Sequence, residues 1–147
     1  MNDDFYKILL EKPAYNQNIP SNKIIAKWAK GILQLMYPEN CTTTFKNLEA
    51  IKEKAISLKL ELIRILNVCS NENEQSKEIA VSFFDTLPEL YRILNTDIKA
   101  IFNGDPAANS EYEVVRTYPG FYAICFYRIA HLLANLKVPL IPRILTE

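Results

Sequence analysis

Glycine is scarce in this chain, with 3 among 147 residues. That leaves little for a glycine-rich phosphate cradle, or for an all-β meander with its many tight turns. Histidine occurs once, and the three cysteines, Cys41, Cys69 and Cys125, lie far apart with no CxxC pair. A zinc site has no ligand set to draw on, and an odd number of scattered cysteines reads as reduced thiols. Excess charge of either sign is also missing, since 17 Lys and Arg balance 17 Asp and Glu. Neutrality without a clustered basic stripe argues against capture of nucleic acid or of an anionic membrane. The start, MNDDFYKILLEK, has no cationic segment before an apolar one, so it is no signal peptide. The longest uncharged run, TYPGFYAICFY, falls far short of the ~20 residues a membrane span needs. The chain reads as soluble and intracellular.

Apolar residues make up 49% of the chain, ample for the core of a single domain of this length. Residues 1–20 read as an irregular lead-in, with Pro13 and Pro20 limiting helix. Ser21 can cap a helix over IIAKWAKGILQLMY, which Pro38 ends. Leu48, Ile51, Ala55, Leu58, Leu62 and Ile65 recur at steps of three and four and predict one apolar helix face. Ile56, Leu60 and Ile63 widen it, as expected of a helix gripped by more than one neighbour. The polar NENEQS interrupts the pattern, and KEIAVSFFD predicts a third helix.

Thr86-Leu-Pro-Glu89 has the form of a capping box opening a helix over PELYRILNTDIKAIF, which Gly104 closes as a C-terminal cap. Ser110 and Glu113 form a second box before a short helix, and Pro119 begins another running to about Lys137. VPLIPRILTE follows, punctuated by Pro139 and Pro142. No strand alternation persists and no internal repeat is present. The fold class is therefore all-α, a single bundle of about six to eight helices over residues 1–147, with the main bundle at 21–103 and a distinct stretch at 104–147. The final residues keep their apolar pattern with no polar tail, and read as the cut end of a longer chain.

Two features carry chemical interest. Asp105 precedes Pro106, whose ring fixes its own φ and biases the aspartate toward extended backbone. A carboxylate on so stiff a corner could receive a ligand ammonium at small entropic cost, or it could simply accept a local amide as turn aspartates do. The local sequence alone favours the turn. Arg128 and His131 share one face of a helix whose other positions are almost all apolar, as expected of a buried helix. A buried guanidinium needs a carboxylate or several carbonyls, so Arg128 reads as a packing anchor. His131 has no nucleophile placed beside it by any motif and reads as structural too.

The stretch from Gly104 onward resembles the bacterial and plant serine O-acetyltransferases. The resemblance rests on Asp105-Pro106-Ala107-Ala108, on Tyr118-Pro119-Gly120-Phe121-Tyr122-Ala123-Ile124, on Tyr127-Arg128-Ile129-Ala130-His131, and on the tail from Pro139 to Glu147. The first hundred residues share only helicity with that family.

The resemblance implies an N-terminal helical domain of a cytoplasmic enzyme that moves the acetyl group of acetyl-CoA to L-serine in cysteine synthesis. A left-handed β-helix, absent from this chain, would supply acetyl-CoA binding and the histidine base, leaving no catalytic residue and no bound cofactor or metal here. Asp105, supported by Pro106, would hold the substrate amino group, and L-cysteine would inhibit through the same contact. The helical domain would join trimers into a hexamer, a dimer of trimers, while cysteine synthase would bind through regions not present. The chain alone is expected to be inactive. The rival reading is a stand-alone, non-enzymatic helical module for protein–protein interaction.

Overall fold

A computed structural model of the chain describes residues 3–12, 19–41, 44–70 and 73–147. Eight α-helices and no strand occur among them: α1 Asp3–Leu10, α2 Asn22–Met36, α3 Leu48–Ser70, α4 Asn73–Asp85, α5 Leu87–Gly104, α6 Glu111–Thr117, α7 Pro119–Asn135 and α8 Ile141–Thr146. A single 3-10 turn, Pro38–Asn40, follows α2. The all-α fold matches the expectation. The lead-in, expected to be irregular, instead holds α1, an eight-residue helix with no buried side chain; Pro13 lies outside the described residues.

Helix α2 is central because its apolar positions fall on a wide stripe. Ile25, Trp28, Ala29, Ile32 and Leu33 are all buried. Trp28 fills the middle, its ring 5.4 Å from that of Phe83 in α4, and its indole N–H donates to the Leu58 carbonyl oxygen at 3.0 Å. That bond satisfies the one polar atom of a side chain otherwise chosen for bulk. Helix α3 packs on α2 and α4 through Leu58, Leu62, Ile65 and Leu66. The predicted stripe is only partly used, since Leu48, Ile51, Ile56 and Leu60 stay exposed. Two neighbouring helices cover less of the circumference than the sequence pattern offers.

Several helix ends differ from the sequence expectation; Ser21 precedes α2 as expected but makes no side-chain cap. Thr86 keeps helical backbone and makes no forward cap; its hydroxyl donates back to the Ser82 carbonyl at 2.8 Å. Glu89 turns instead to Arg92. Gly104 does not adopt the left-handed conformation of a glycine cap. Helix α5 stops because Asp105 is extended, at φ −112° and ψ 107°, as the following proline demands. Helix α3 is capped by Asn47, whose Oδ1 accepts the Ala50 N–H at 2.9 Å. The polar stretch expected as a break supplies the first turn of α4, with residues 71 and 72 outside the described set.

After α7 the chain reverses without glycine. Lys137 takes a φ of 62°, and the Val138 N–H reaches back to the Leu133 carbonyl oxygen at 3.0 Å, a Schellman-type end. A second left-handed residue, Leu140, then aims α8 at the core, where Ile141 and Leu145 are buried.

Leu62 and Leu60 separate the two sides of α3. Leu62→Ala should cost about 2–5 kcal/mol, and Leu60→Ala less than ~0.5 kcal/mol, in urea unfolding of the chain.

Candidate functional site

The candidate site is the corner between α5 and α6. The Ala108 N–H donates to the Asp105 carbonyl oxygen at 3.1 Å, closing a turn with the exposed Pro106 and Ala107 at its tip. The Ala107 N–H donates to Asp105 Oδ1 at 2.8 Å, so the side chain braces its own turn. Asp105 Oδ2 accepts the hydroxyl proton of Tyr118, also at 2.8 Å, from the residue that leads into α7. Both bonds favour the ionised form, and they hold the carboxyl below the usual aspartate range, the Ala107 amide first and the Tyr118 hydroxyl second. The same bond pushes the Tyr118 phenol up.

A second carboxylate stands close by. Ser110 Oγ accepts the Glu113 N–H at 3.1 Å and starts α6. The Glu113 side chain does not complete the expected box on Ser110. It reaches one residue further and accepts the Asn109 N–H at 2.8 Å and the Asn109 side-chain amide at 2.9 Å. Those bonds hold Glu113 below its ordinary range, with the charge of Asp105 opposing the shift.

Each Asp105 oxygen therefore carries one hydrogen bond, and a carboxylate has about four acceptor positions. Among the described residues no basic side chain forms an ion pair with it. The corner is a half-buried negative charge, oriented on two sides, with acceptor capacity left for a ligand cation.

Arg128 and His131 lie elsewhere. Arg128 forks onto Asp97 of α5, with Nε to Oδ2 at 2.5 Å and Nη2 to Oδ1 at 2.6 Å. His131 is exposed, stacked on Tyr127 at 6.1 Å between ring centroids, with Nδ1 3.4 Å from the Asn135 amide nitrogen. The expectation that α7 is buried on nearly every side is corrected. Its Phe121, Cys125, Ile129 and Leu133 face the core, whereas Tyr122, Ala123, Tyr127 and His131 form an outer face that no helix covers among the described residues. From Tyr118 to His131 the helix advances about 20 Å, so the histidine does not join the corner. Among the described residues no group of three or more His, Cys, Asp or Glu is placed to hold a metal ion. Burial pushes the Cys125 thiol up to about 12, which leaves no thiolate there.

Residues 40–125 match the family profile described as serine acetyltransferase, N-terminal, which covers more than half of the chain and includes the whole corner. The chain belongs to the serine acetyltransferase N-terminal domain family. Similar proteins include the plasmid-encoded serine acetyltransferase of Synechococcus elongatus, 43% identical over 75 residues, a match that takes in 51% of this chain and 24% of that protein. The serine acetyltransferase of Bacillus subtilis is 42% identical over 57 residues, 39% of this chain and 26% of that protein. Among solved structures, serine acetyltransferase 1 of Entamoeba histolytica in complex with L-cysteine superposes with a TM-score of 0.71 at 22% identity, covering 98% of this chain and 54% of that one. At that identity the likeness establishes the fold. The chain spans about half the length of such structures, and the matched segments about a quarter of the relatives.

In this serine acetyltransferase domain, sequence reasoning missed Tyr118 as a partner of Asp105 and Asp97 as the partner of Arg128. Neither pairing has a local signal, because the partners stand 13 and 31 residues apart.

The Arg128 fork is open to a direct check. Asp97→Ala should cost about 2 kcal/mol in chemical unfolding, less than a fully buried pair because water still reaches the guanidinium. Asp97→Leu combined with Arg128→Met should recover most of that loss.

Proposed function

We propose that this chain is the substrate-positioning and assembly domain of a cytoplasmic enzyme that transfers the acetyl group of acetyl-CoA to the hydroxyl of L-serine, the first step toward cysteine. The observation that carries the reading is the Asp105 carboxylate. It is ionised, half-buried, braced by Ala107 and Tyr118, and without a cationic partner among the described residues. An α-ammonium group suits it, because a compact cation with three N–H donors can use the lone pairs that the two bonds leave open.

In this reading Asp105 receives the amino group of serine, and Pro106 keeps the corner stiff. L-cysteine, which shares the same ammonium, competes for it. The cysteine complex of the Entamoeba histolytica enzyme, whose fold this chain shares, supports that choice of inhibitor. The base that removes the serine hydroxyl proton belongs to a part of the enzyme outside this chain. So does the surface for acetyl-CoA, and that for cysteine synthase. His131, on the outer face of α7, is not that base. The exposed Ile56 and Leu60 on α3 suit a contact between copies, consistent with trimers joining into a hexamer through the helical domain.

Two outcomes test the reading. The 147-residue chain mixed with acetyl-CoA and L-serine should release no CoA above background; turnover would place catalytic groups within it. In the enzyme that carries this domain, Asp105→Ala should raise the KM for serine about tenfold or more, the cost of losing a hydrogen bond to a charged group. The KM for acetyl-CoA should stay within about twofold, a change small against one lost charged contact. An unchanged serine KM would remove Asp105 from the binding site.

A further inference from the structure

Asp105 is held by two donors of different standing. The Ala107 amide belongs to the same turn and moves with it. Tyr118 does not. Its ring is half-buried and packs against the core cluster. Its backbone is tied on both sides, the N–H donating to the Val114 carbonyl oxygen at 3.2 Å and the carbonyl accepting the Tyr122 N–H at 3.3 Å. The hydroxyl is thus a point fixed to the bundle rather than to the loop.

One anchored oxygen leaves a carboxylate free to swing about that contact. Two anchored oxygens define its plane. The Ala107 bond by itself would let the turn and its carboxylate drift together, whereas the Tyr118 bond ties Oδ2 to the start of α7. Glu113 takes the two Asn109 N–H groups on Oε2, whereas the phenol hydroxyl donates to Asp105 Oδ2.

We infer that Tyr118 is a positioning residue, one that fixes the orientation of the Asp105 carboxylate relative to the helical core and so the direction from which a substrate ammonium is received. The inference rests on the amine-binding role of Asp105 proposed above. Tyr118 prepays the ordering of a short side chain that would otherwise be lost on binding.

Two measurements test this, and they fail separately. The first uses the chain alone and follows the Asp105 side-chain carbon by NMR as pH is varied. The groups that face this carboxylate are Tyr118 at the start of α7, Glu113 on α6 and the Ala107 amide of the turn. Removing a donor to the charged form weakens that form, so Tyr118→Phe should move the titration midpoint upward. An unmoved midpoint overturns the contact.

The second uses the enzyme that carries the domain. Tyr118→Phe should raise the serine KM about three- to tenfold, the range expected for one hydrogen bond, with the acetyl-CoA KM and the unfolding temperature little changed. Asp105→Asn should have the larger effect, and the double variant should be no worse than Asp105→Asn, because Tyr118 acts through Asp105. If Asp105→Asn raises the serine KM and Tyr118→Phe does not, or if the two effects multiply, the positioning role is wrong while the Asp105 reading stands. If neither variant changes the serine KM, the Asp105 reading fails and the positioning role falls with it. The NMR midpoint still tells whether the bond exists.

Discussion

The fork between Arg128 and Asp97 sets the register on which the corner depends. Asp97 lies two turns before the end of α5, and Arg128 lies midway along α7. Apolar contacts between two helices tolerate small slides, but a planar guanidinium on a carboxylate does not, because both bonds must be in line at once. A half-buried ion pair contributes little net stability. Its consequence here is geometric. With α5 and α7 locked together, the end of one and the start of the other have a fixed separation, and Asp105 and Tyr118 occupy those two points. Their hydrogen bond follows from packing elsewhere in the bundle, not from the loop alone.

Helix α6 completes the frame although its seven residues could not hold a helix in water. Val114 and Val115 are buried, and the polar ends are tied across the chain. The Asn40 side-chain amide donates to the Val115 carbonyl oxygen at 2.8 Å, and Arg116 donates to the Glu39 carbonyl oxygen at 2.8 Å. The Tyr37 hydroxyl in turn donates to Asn95 Oδ1 at 3.0 Å, joining the end of α2 to α5. The 3-10 turn after α2 is thereby a bracket for α6. The loop that carries Asp105 is short, closed on itself, and supported at both ends by elements that reach the core.

Periodicity made α3 legible because a helix that buries one side must repeat its apolar residues at three and four, while α2, α5 and α7 were marked by caps, prolines and apolar content. Apolar character overstated what is buried, since Leu60 on α3 and Tyr127 on α7 have it and both stay exposed. Capping motifs were less faithful. Ser110 caps α6 as its sequence predicts, whereas Thr86 remains helical, and its hydroxyl shares the Ser82 carbonyl with its own backbone N–H. Pro106 marked Asp105 as a stiff corner, and only the family resemblance gave it a ligand. The setting of the carboxylate was not legible, because whether a turn aspartate serves only its own backbone depends on what a distant tyrosine does.

The proposed reading divides binding from chemistry. An acyl transfer to a hydroxyl needs a base within reach of the proton and something to receive the substrate in one orientation. In the proposed reading the second is supplied by the Asp105 carboxylate, braced from two directions. For the first, His131 faces outward some 20 Å along α7 from the corner, and the Cys125 thiol is protonated by its burial. On the proposed reading, another surface brings the base to this receptor. A corner fixed to the bundle core, rather than to a mobile loop, gives that surface a constant target. On the proposed reading, the stiffness of the Asp105 turn serves the surface that closes over it rather than the stability of the helical domain itself.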